Sequence, residues 1–375
     1  MARLNSLSVQ GFKSMRDLKE LTLTNMNILI GANGSGKSNI LELFTFLRAV
    51  MQLPLPGFRE TSLKNYVLDL GVVSDLLYKG SPEANAIKLT LQLSDASYTI
   101  ELIPTADDLL RIGAEAVFDT VSDCWYQLDS SDGFTPGLLQ YRDAKGVDSM
   151  HDAASSVYQA IQNWQVYHFT GTGRLSPIKS NQSVFDHAYL RPDGSNLASF
   201  LLSLKESPQF HHSYKLIVET IRLITPFFDD FILEANSQDF VRLFWKQKGS
   251  DSPMKPQALS EGTLRFICLA TALLQPNHPD IIIIDEPELG LHPFAIAILA
   301  ELMQARATDT QLIVATQSPD LINYFAAEDS IVCNRKEGQS IFTRVSYSSV
   351  EVWLDEYSLG ELWTKNILSG GPAYE

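Results

Sequence analysis

The eight residues Gly31-Ala32-Asn33-Gly34-Ser35-Gly36-Lys37-Ser38 constrain this chain more than any others. They satisfy the spacing G-x-x-x-x-G-K-[ST] in full, and their flanks are the ones that spacing demands. Before them, Met26 to Ile30 reads as an apolar strand. After them, from Lys37 to Leu53, the positions Ile40, Leu41, Leu43, Phe44, Leu47 and Val50 recur at helical spacing until Pro54. Glycines let the backbone wrap closely around an anion, so that successive N–H groups and the helix N-terminus face it. Lys37 can then reach the β- and γ-phosphates of a nucleotide, and Ser38 can ligate Mg²⁺. An incidental glycine-rich turn would not bring the lysine, the hydroxyl and both flanking elements together.

Two further segments carry chemistry. Ile281-Ile282-Ile283-Ile284-Asp285-Glu286-Pro287 places two carboxylates where a buried strand leaves its sheet. Asp285 suits Mg²⁺, usually through a water, and Glu286 suits the polarisation of an attacking water as general base. Leu259-Ser260-Glu261-Gly262-Thr263-Leu264-Arg265 opens a helix about twenty residues earlier. Ser260 can cap it and Gly262 allows close backbone approach, which makes the helix start a second anion site. A nucleotide has one γ-phosphate, already cradled by its own loop. The second phosphate-binding helix therefore makes sense if it serves a neighbouring subunit.

In this order the three elements resemble the ATP-binding-cassette ATPases. Within them the chain is similar to the RecF-like group, which includes the structural-maintenance-of-chromosomes heads and the ATPase half of OLD-type proteins. The resemblance rests on Gly11-Phe12-Lys13-Ser14, on Asn39 after the loop, and on Leu259 to Thr263 in place of a transporter's Leu-Ser-Gly-Gly-Gln. It rests also on Glu286-Pro287-Glu288-Leu289-Gly290-Leu291-His292-Pro293 as acidic strand end and D-loop, and on Thr316-Gln317-Ser318-Pro319 as switch. Trp353 to Trp363 and Gly370-Gly371-Pro372 are similar to stand-alone bacterial ATPases of this group. The match covers the first fifty residues and the last third; between Met51 and Gln257 it is loose, apart from Leu190 to Leu197.

The resemblance implies that Asn33, Gly34, Ser35, Gly36, Lys37, Ser38 and Asn39 bind ATP and that Ser38 and Asp285 hold Mg²⁺. It makes Glu286, Gln317 and Lys37 catalytic. Ser260, Glu261 and Gly262 would close over the nucleotide of a partner chain in a head-to-tail homodimer. It implies work in DNA repair or anti-phage defence with a separately encoded effector such as a toprim-type nuclease. OLD-type nucleases carry a toprim segment after the switch; none follows here, so no nuclease site of the chain's own is expected. Many relatives have a histidine in the switch where this chain has Gln317, an amide that can hydrogen-bond a phosphate or water but cannot gain a proton. The Q-loop glutamine has no assigned position. A slowly hydrolysing, nucleotide-sensing scaffold that holds a toxin or nuclease inactive is the alternative; a transporter motor is disfavoured by the long insertion and by Ser-Glu-Gly.

The fold class follows: α/β, a nucleotide-binding fold of the cassette type. It has an N-terminal mixed β lobe, a parallel core sheet flanked by helices, and a β/helical insertion between the phosphate loop and the Ser260 helix. The expected division is 1–85, an inserted β lobe and helical lid at 86–225, the rest of the ATPase domain at 226–350, and a tail at 351–375. Ile87 to Ile103 and Ala114 to Leu128 alternate as antiparallel strands do; Ser130 to Val147 reads as a loop. Helices are expected at Asp152–Gln162, Asn196–Leu204, Tyr214–Ile224, Ser260–Leu274, Phe294–Ala305 and Asp320–Ala326. Strands are expected at Asp280–Asp285 and Gln311–Ala315, with a hairpin at Ser330–Val345.

Charge argues against a direct nucleic-acid binder. With 29 Lys and Arg against 44 Asp and Glu the net charge is −15, so contact with DNA would need a local basic patch or a partner. Three distant cysteines, no apolar run of membrane-spanning length and no secretory leader fit a cytoplasmic protein without a membrane partner. His151 and His211-His212 lack further ligands at metal spacing, and His292 reads as structural. Trp353, Tyr357 and Trp363 read as core, and Cys268 as a small buried hydrophobe.

Overall fold

The computed structural model describes residues 3–52, 62–80, 86–143, 145–169, 171–173, 176–250 and 252–368. Gly370-Gly371-Pro372 lie outside them. The chain forms two compact units, Met1–Trp164 with Ala326–Glu375, and Gln165–Phe325. The boundaries expected from the sequence fall elsewhere: 85/86 lies inside the first unit, 225/226 inside the second, and 350/351 inside the helix Tyr347–Leu354.

In the first unit an antiparallel sheet runs Met15–Thr22, Leu4–Phe12, Ile87–Leu93, Ala96–Pro104, Leu110–Asp119, Cys124–Gln127. The β lobe expected as an insertion thus pairs directly with the first strand, Leu7 opposite Leu91. The alternating run Ile87 to Ile103 spans two strands, Ile87–Leu93 and Ala96–Pro104. Met15–Thr22 is a strand that periodicity missed. Its buried residues Met15, Leu18 and Leu21 are three apart, as on a helix. A bulge accounts for the step from Leu18 to Leu21: the register slips between Leu7↔Leu21 and Val9↔Leu18, with Glu20 at φ 41°.

Beside this sheet's first strands in sequence, Met26–Ile30 pairs in parallel with Ser330–Lys336, which pairs antiparallel with Gln339–Arg344. The helix Lys37–Val50 buries Ile40, Leu41, Leu43, Phe44, Phe46, Leu47 and Val50 and so anchors the loop before it. Full burial of such side chains stabilises by about 1.5–3 kcal/mol each.

In the second unit Ile281–Asp285 and Gln311–Thr316 pair in parallel, Ile281 opposite Gln311 through Asp285 opposite Ala315. Every residue of these strands up to Asp285 is buried, which accounts for their continuous apolar sequence. The helices Glu261–Leu274, Pro293–Arg306, Leu197–Glu206 and His211–Ile224 belong to this unit. The helix expected at Asp320–Ala326 is only Pro319–Ile322. Cys268 is fully buried, as expected, whereas Trp353 is 45% exposed and does not belong to the core.

Candidate functional site

The predicted site residues form two clusters, one in each unit. In the first, the loop Gly31–Ser38 leaves the end of the buried strand Met26–Ile30 and enters the helix at Lys37. Gly36 is the N-cap at φ 105°, a conformation costly for any residue with a Cβ, and no side chain caps the helix. A Cβ there would also sit 2.0 Å from Ser340 Oγ. The hairpin 330–344 buttresses the loop. Ser340 Oγ and Cys333 Sγ both donate to the Ser35 carbonyl, at 2.5 and 3.1 Å, and Arg335 donates to the Gly34 carbonyl at 3.3 Å. Burial pushes the Cys333 thiol up to about 11, so it acts as a neutral donor.

Ser14 Oγ accepts from Asn39 Nδ2 and lies within hydrogen-bond distance of Ser340 Oγ, both at 2.7 Å, so Asn39 braces the loop rather than pointing into it. Lys13, beside Ser14, pairs with Glu42 on the helix. These contacts explain why Gly11-Phe12-Lys13-Ser14 accompanies the loop. Lys37 is 5% exposed and its Nζ donates to the Gly31 and Ala32 carbonyls at 2.6 and 3.0 Å. Asn33, Gly34 and Ser38 are exposed, and nothing lies within 4 Å of a Cβ built at Gly34. Ser35 Oγ is buried without a hydrogen-bond partner. An open apex, a side-chain-uncapped helix start and a lysine folded into the loop fit a polyphosphate.

In the second unit, Asp285 and Glu286 end the strand Ile281–Asp285 as expected. Glu286 adopts φ 45°, a left-handed conformation that costs a non-glycine residue about 1 kcal/mol, while its N–H extends the ladder to the Ala315 carbonyl at 2.8 Å. The turn directs its carboxylate to Gln317, whose Nε2 donates to Glu286 Oε1. Glu286 and Gln317 are therefore brought together.

Glu288 was not singled out by sequence reasoning. Its Oε1 accepts from Thr316 Oγ1 at 2.7 Å and from the Gln317 N–H at 3.0 Å, which fixes the backbone at Gln317. Burial raises its pKa, partly offset by those two donors, and its Oε2 is buried without a partner. The only trace in the sequence is a second glutamate two residues after Glu286.

Ser260 caps the helix Glu261–Leu274, its Oγ accepting from the Thr263 N–H at 3.0 Å, and both Ser260 and Glu261 are exposed. The close approach at Gly262 is to its own chain: a Cβ there would lie 2.1 Å from the Gly290 carbonyl oxygen. Gly262 thus welds the helix start to the turn at Gly290. Arg265, one turn on and 7% exposed, completes the weld. It donates to the Leu289 carbonyl at 2.5 Å and to the Phe169 carbonyl at 2.9 Å. Burial lowers its pKa, and neighbouring acids oppose that shift. His292 caps the helix Pro293–Arg306 and is structural, as expected.

Sequence reasoning also passed over His168, which follows the strand Trp164–Tyr167. Its Nδ1 lies 3.8 Å from Asp285 Oδ2, with the histidine side chain 57% and the aspartate 17% exposed. Among the described residues no group of three or more His, Cys, Asp or Glu is arranged to hold a metal ion. The donor set suits a cation that takes one or two protein oxygens and draws its remaining ligands from phosphate and water, as Mg²⁺ does with nucleotides. No helix among the described residues is long and apolar enough to cross a membrane.

Two family models match the chain. One, described as "AAA domain, putative AbiEii toxin, Type IV TA system", matches residues 129–323; the other, "AAA ATPase domain", matches residues 3–100. Among solved structures, the Smc head bound to the C-winged helix domain of ScpA is 16% identical with a TM-score of 0.54, over 93% of this chain and 99% of that one. The Smc head with an extended coiled coil bound to the C-terminal domain of ScpA, from Pyrococcus furiosus, is 16% identical with a TM-score of 0.56, over 95% and 99%. No curated protein matches. The fold is therefore an α/β phosphate-loop ATPase fold similar to the Smc head, with mixed sheets and flanking helices.

Proposed function

Because the chain belongs to the AAA-domain family whose model spans residues 129–323, more than half of its length, we propose that it binds ATP with Mg²⁺ and hydrolyses it as a RecF-like cassette ATPase. The observation that carries this reading is the phosphate loop: a left-handed glycine at an otherwise uncapped helix start, with Lys37 folded against the loop carbonyls. ATP would displace those carbonyls as the partners of Lys37. Asn33 to Ser38 would hold the phosphates, braced by Asn39, and Ser38 and Asp285 the cation. Glu286 would accept a proton from the attacking water, oriented by the Gln317 amide.

The exposed, serine-capped start of the Glu261–Leu274 helix would meet the γ-phosphate of a second copy, in a head-to-tail homodimer. ATP would favour the closed dimer and hydrolysis would release it, a population shift set by contacts to the γ-phosphate. The process served would be DNA repair or anti-phage defence with a protein effector. The toxin–antitoxin wording of the family description and the ScpA domains on both Smc heads support a protein partner. A second reading, a slow sensor that restrains a toxin or nuclease, is favoured by one contact: the Gln317 amide occupies a lone pair of Glu286.

The test mixes Ser260→Arg with Lys37→Ala, each expected to be inactive alone. Arginine would remove the cap and fill the space for the partner's phosphate. In a mixed two-fold dimer one composite site carries both lesions and the other carries neither, so random exchange should restore about a quarter of wild-type phosphate release. No recovery in a mixture shown to exchange subunits would contradict the paired site.

A further inference from the structure

Glu288 does more than fill space in its turn. Two donors converge on its Oε1, the Thr316 hydroxyl at 2.7 Å and the Gln317 N–H at 3.0 Å, while its Oε2 is buried and accepts from no described residue. A buried oxygen without a donor is unfavourable, so stability alone does not favour a carboxyl here. What the contact fixes is the backbone around Gln317. Thr316, fully buried at the end of the strand Gln311–Thr316, uses the same hydroxyl to accept from the Ser318 N–H at 3.0 Å. Glu288 is held in turn: the Leu291 N–H donates to its carbonyl at 3.0 Å, and Gly290 lies against Gly262. The Gln317 side chain is fixed at its far end as well, its Nε2 donating to Glu286 Oε1. An amide held at its backbone and at its nitrogen has its carbonyl direction set, and this Oε1 accepts from no described residue.

We propose that Glu288 is a positioning residue for hydrolysis: by holding the Gln317 backbone it makes the Gln317 amide present its carbonyl oxygen to the attacking water beside Glu286. This rests on the reading of Glu286 and Gln317 given above and adds the residue that orders them. A water about to attack has two hydrogens. Glu286 accepts one as base, and the Gln317 carbonyl oxygen accepts a hydrogen bond from the other, which aims the water's lone pair. Without Glu288 the Gln317 N–H and the Thr316 hydroxyl lose their acceptor, the amide turns, and the water loses its direction. No group that would hold the phosphates has changed.

The test separates turnover from binding. Phosphate release and ATP affinity are measured for wild type, Glu288→Met and Glu288→Gln, with thermal unfolding followed alongside. Methionine keeps the reach of the side chain and removes both oxygens, whereas glutamine keeps one oxygen to accept from both donors. Glu288→Met is expected to lower kcat by roughly a hundredfold and to leave ATP affinity unchanged. Glu288→Gln is expected to retain most of the wild-type rate. Wild-type kcat in folded Glu288→Met would overturn the proposal, as would equal losses in the two variants or a loss of ATP affinity in step with kcat. A methionine variant that fails to fold beside an active glutamine variant would assign Glu288 to stability alone and overturn it too. If wild type binds ATP but releases no phosphate, the reading of Glu286 has failed, and this proposal with it. If wild type binds no ATP at all, the nucleotide reading itself has failed.

Discussion

Lys37→Ala is expected to lower ATP affinity by about a hundredfold. Hydrogen bonds to a charged group contribute about 1.5–3 kcal/mol, and each 1.4 kcal/mol is a factor of ten. Lys37 is nearly buried within the loop, where its ammonium already binds two carbonyl oxygens at 2.6 and 3.0 Å. It is therefore stationed among the groups that would surround the phosphates. The same geometry adds a second effect. Truncation leaves the Gly31 and Ala32 carbonyls without that donor, so some loss of thermal stability accompanies the loss of affinity. Calorimetric titration of the folded variant separates the two, and wild-type affinity there would refute the assignment of the loop.

Glu286→Gln is expected to keep ATP binding and lower turnover by about two to four powers of ten, the range for loss of a general base. The substitution changes little else. Glutamine retains an oxygen able to accept from Gln317, and it meets the same left-handed backbone that Glu286 tolerates. Glu288, which holds the Gln317 backbone, is untouched. The loss should therefore appear in the hydrolysis rate and not in the binding isotherm. Unchanged steady-state phosphate release would show that another group activates the water.

What was legible in the sequence follows a physical division. Ile281 to Asp285, Gly31 to Ser38 and the Ser260 cap are local: their roles come from backbone geometry that the residues themselves impose, and the structure places each in its expected element. Met15–Thr22 was illegible because its buried residues stand three apart, a spacing to which a bulge contributes the step from Leu18 to Leu21. Gly262 was read as an approach for a ligand, whereas its neighbour is the Gly290 carbonyl, a contact no spacing announces. His168 and Glu288 were missed for the same reason. A lone histidine after a strand, or an extra acid in an acidic stretch, acquires meaning only when folding sets it beside Asp285 or Gln317. The unit boundary at Gln165 was hidden because strand pairing between Leu4–Phe12 and Ile87–Leu93 joins segments that composition separates.

In the proposed paired site one chain would supply the phosphate loop and acids and another the capped helix. Phosphate release per wild-type chain, measured from dilute monomer to the concentration at which light scattering shows dimer, tests it most directly. Release should rise with the dimeric fraction and be negligible in its absence. Full activity per chain in a solution of monomers would contradict it.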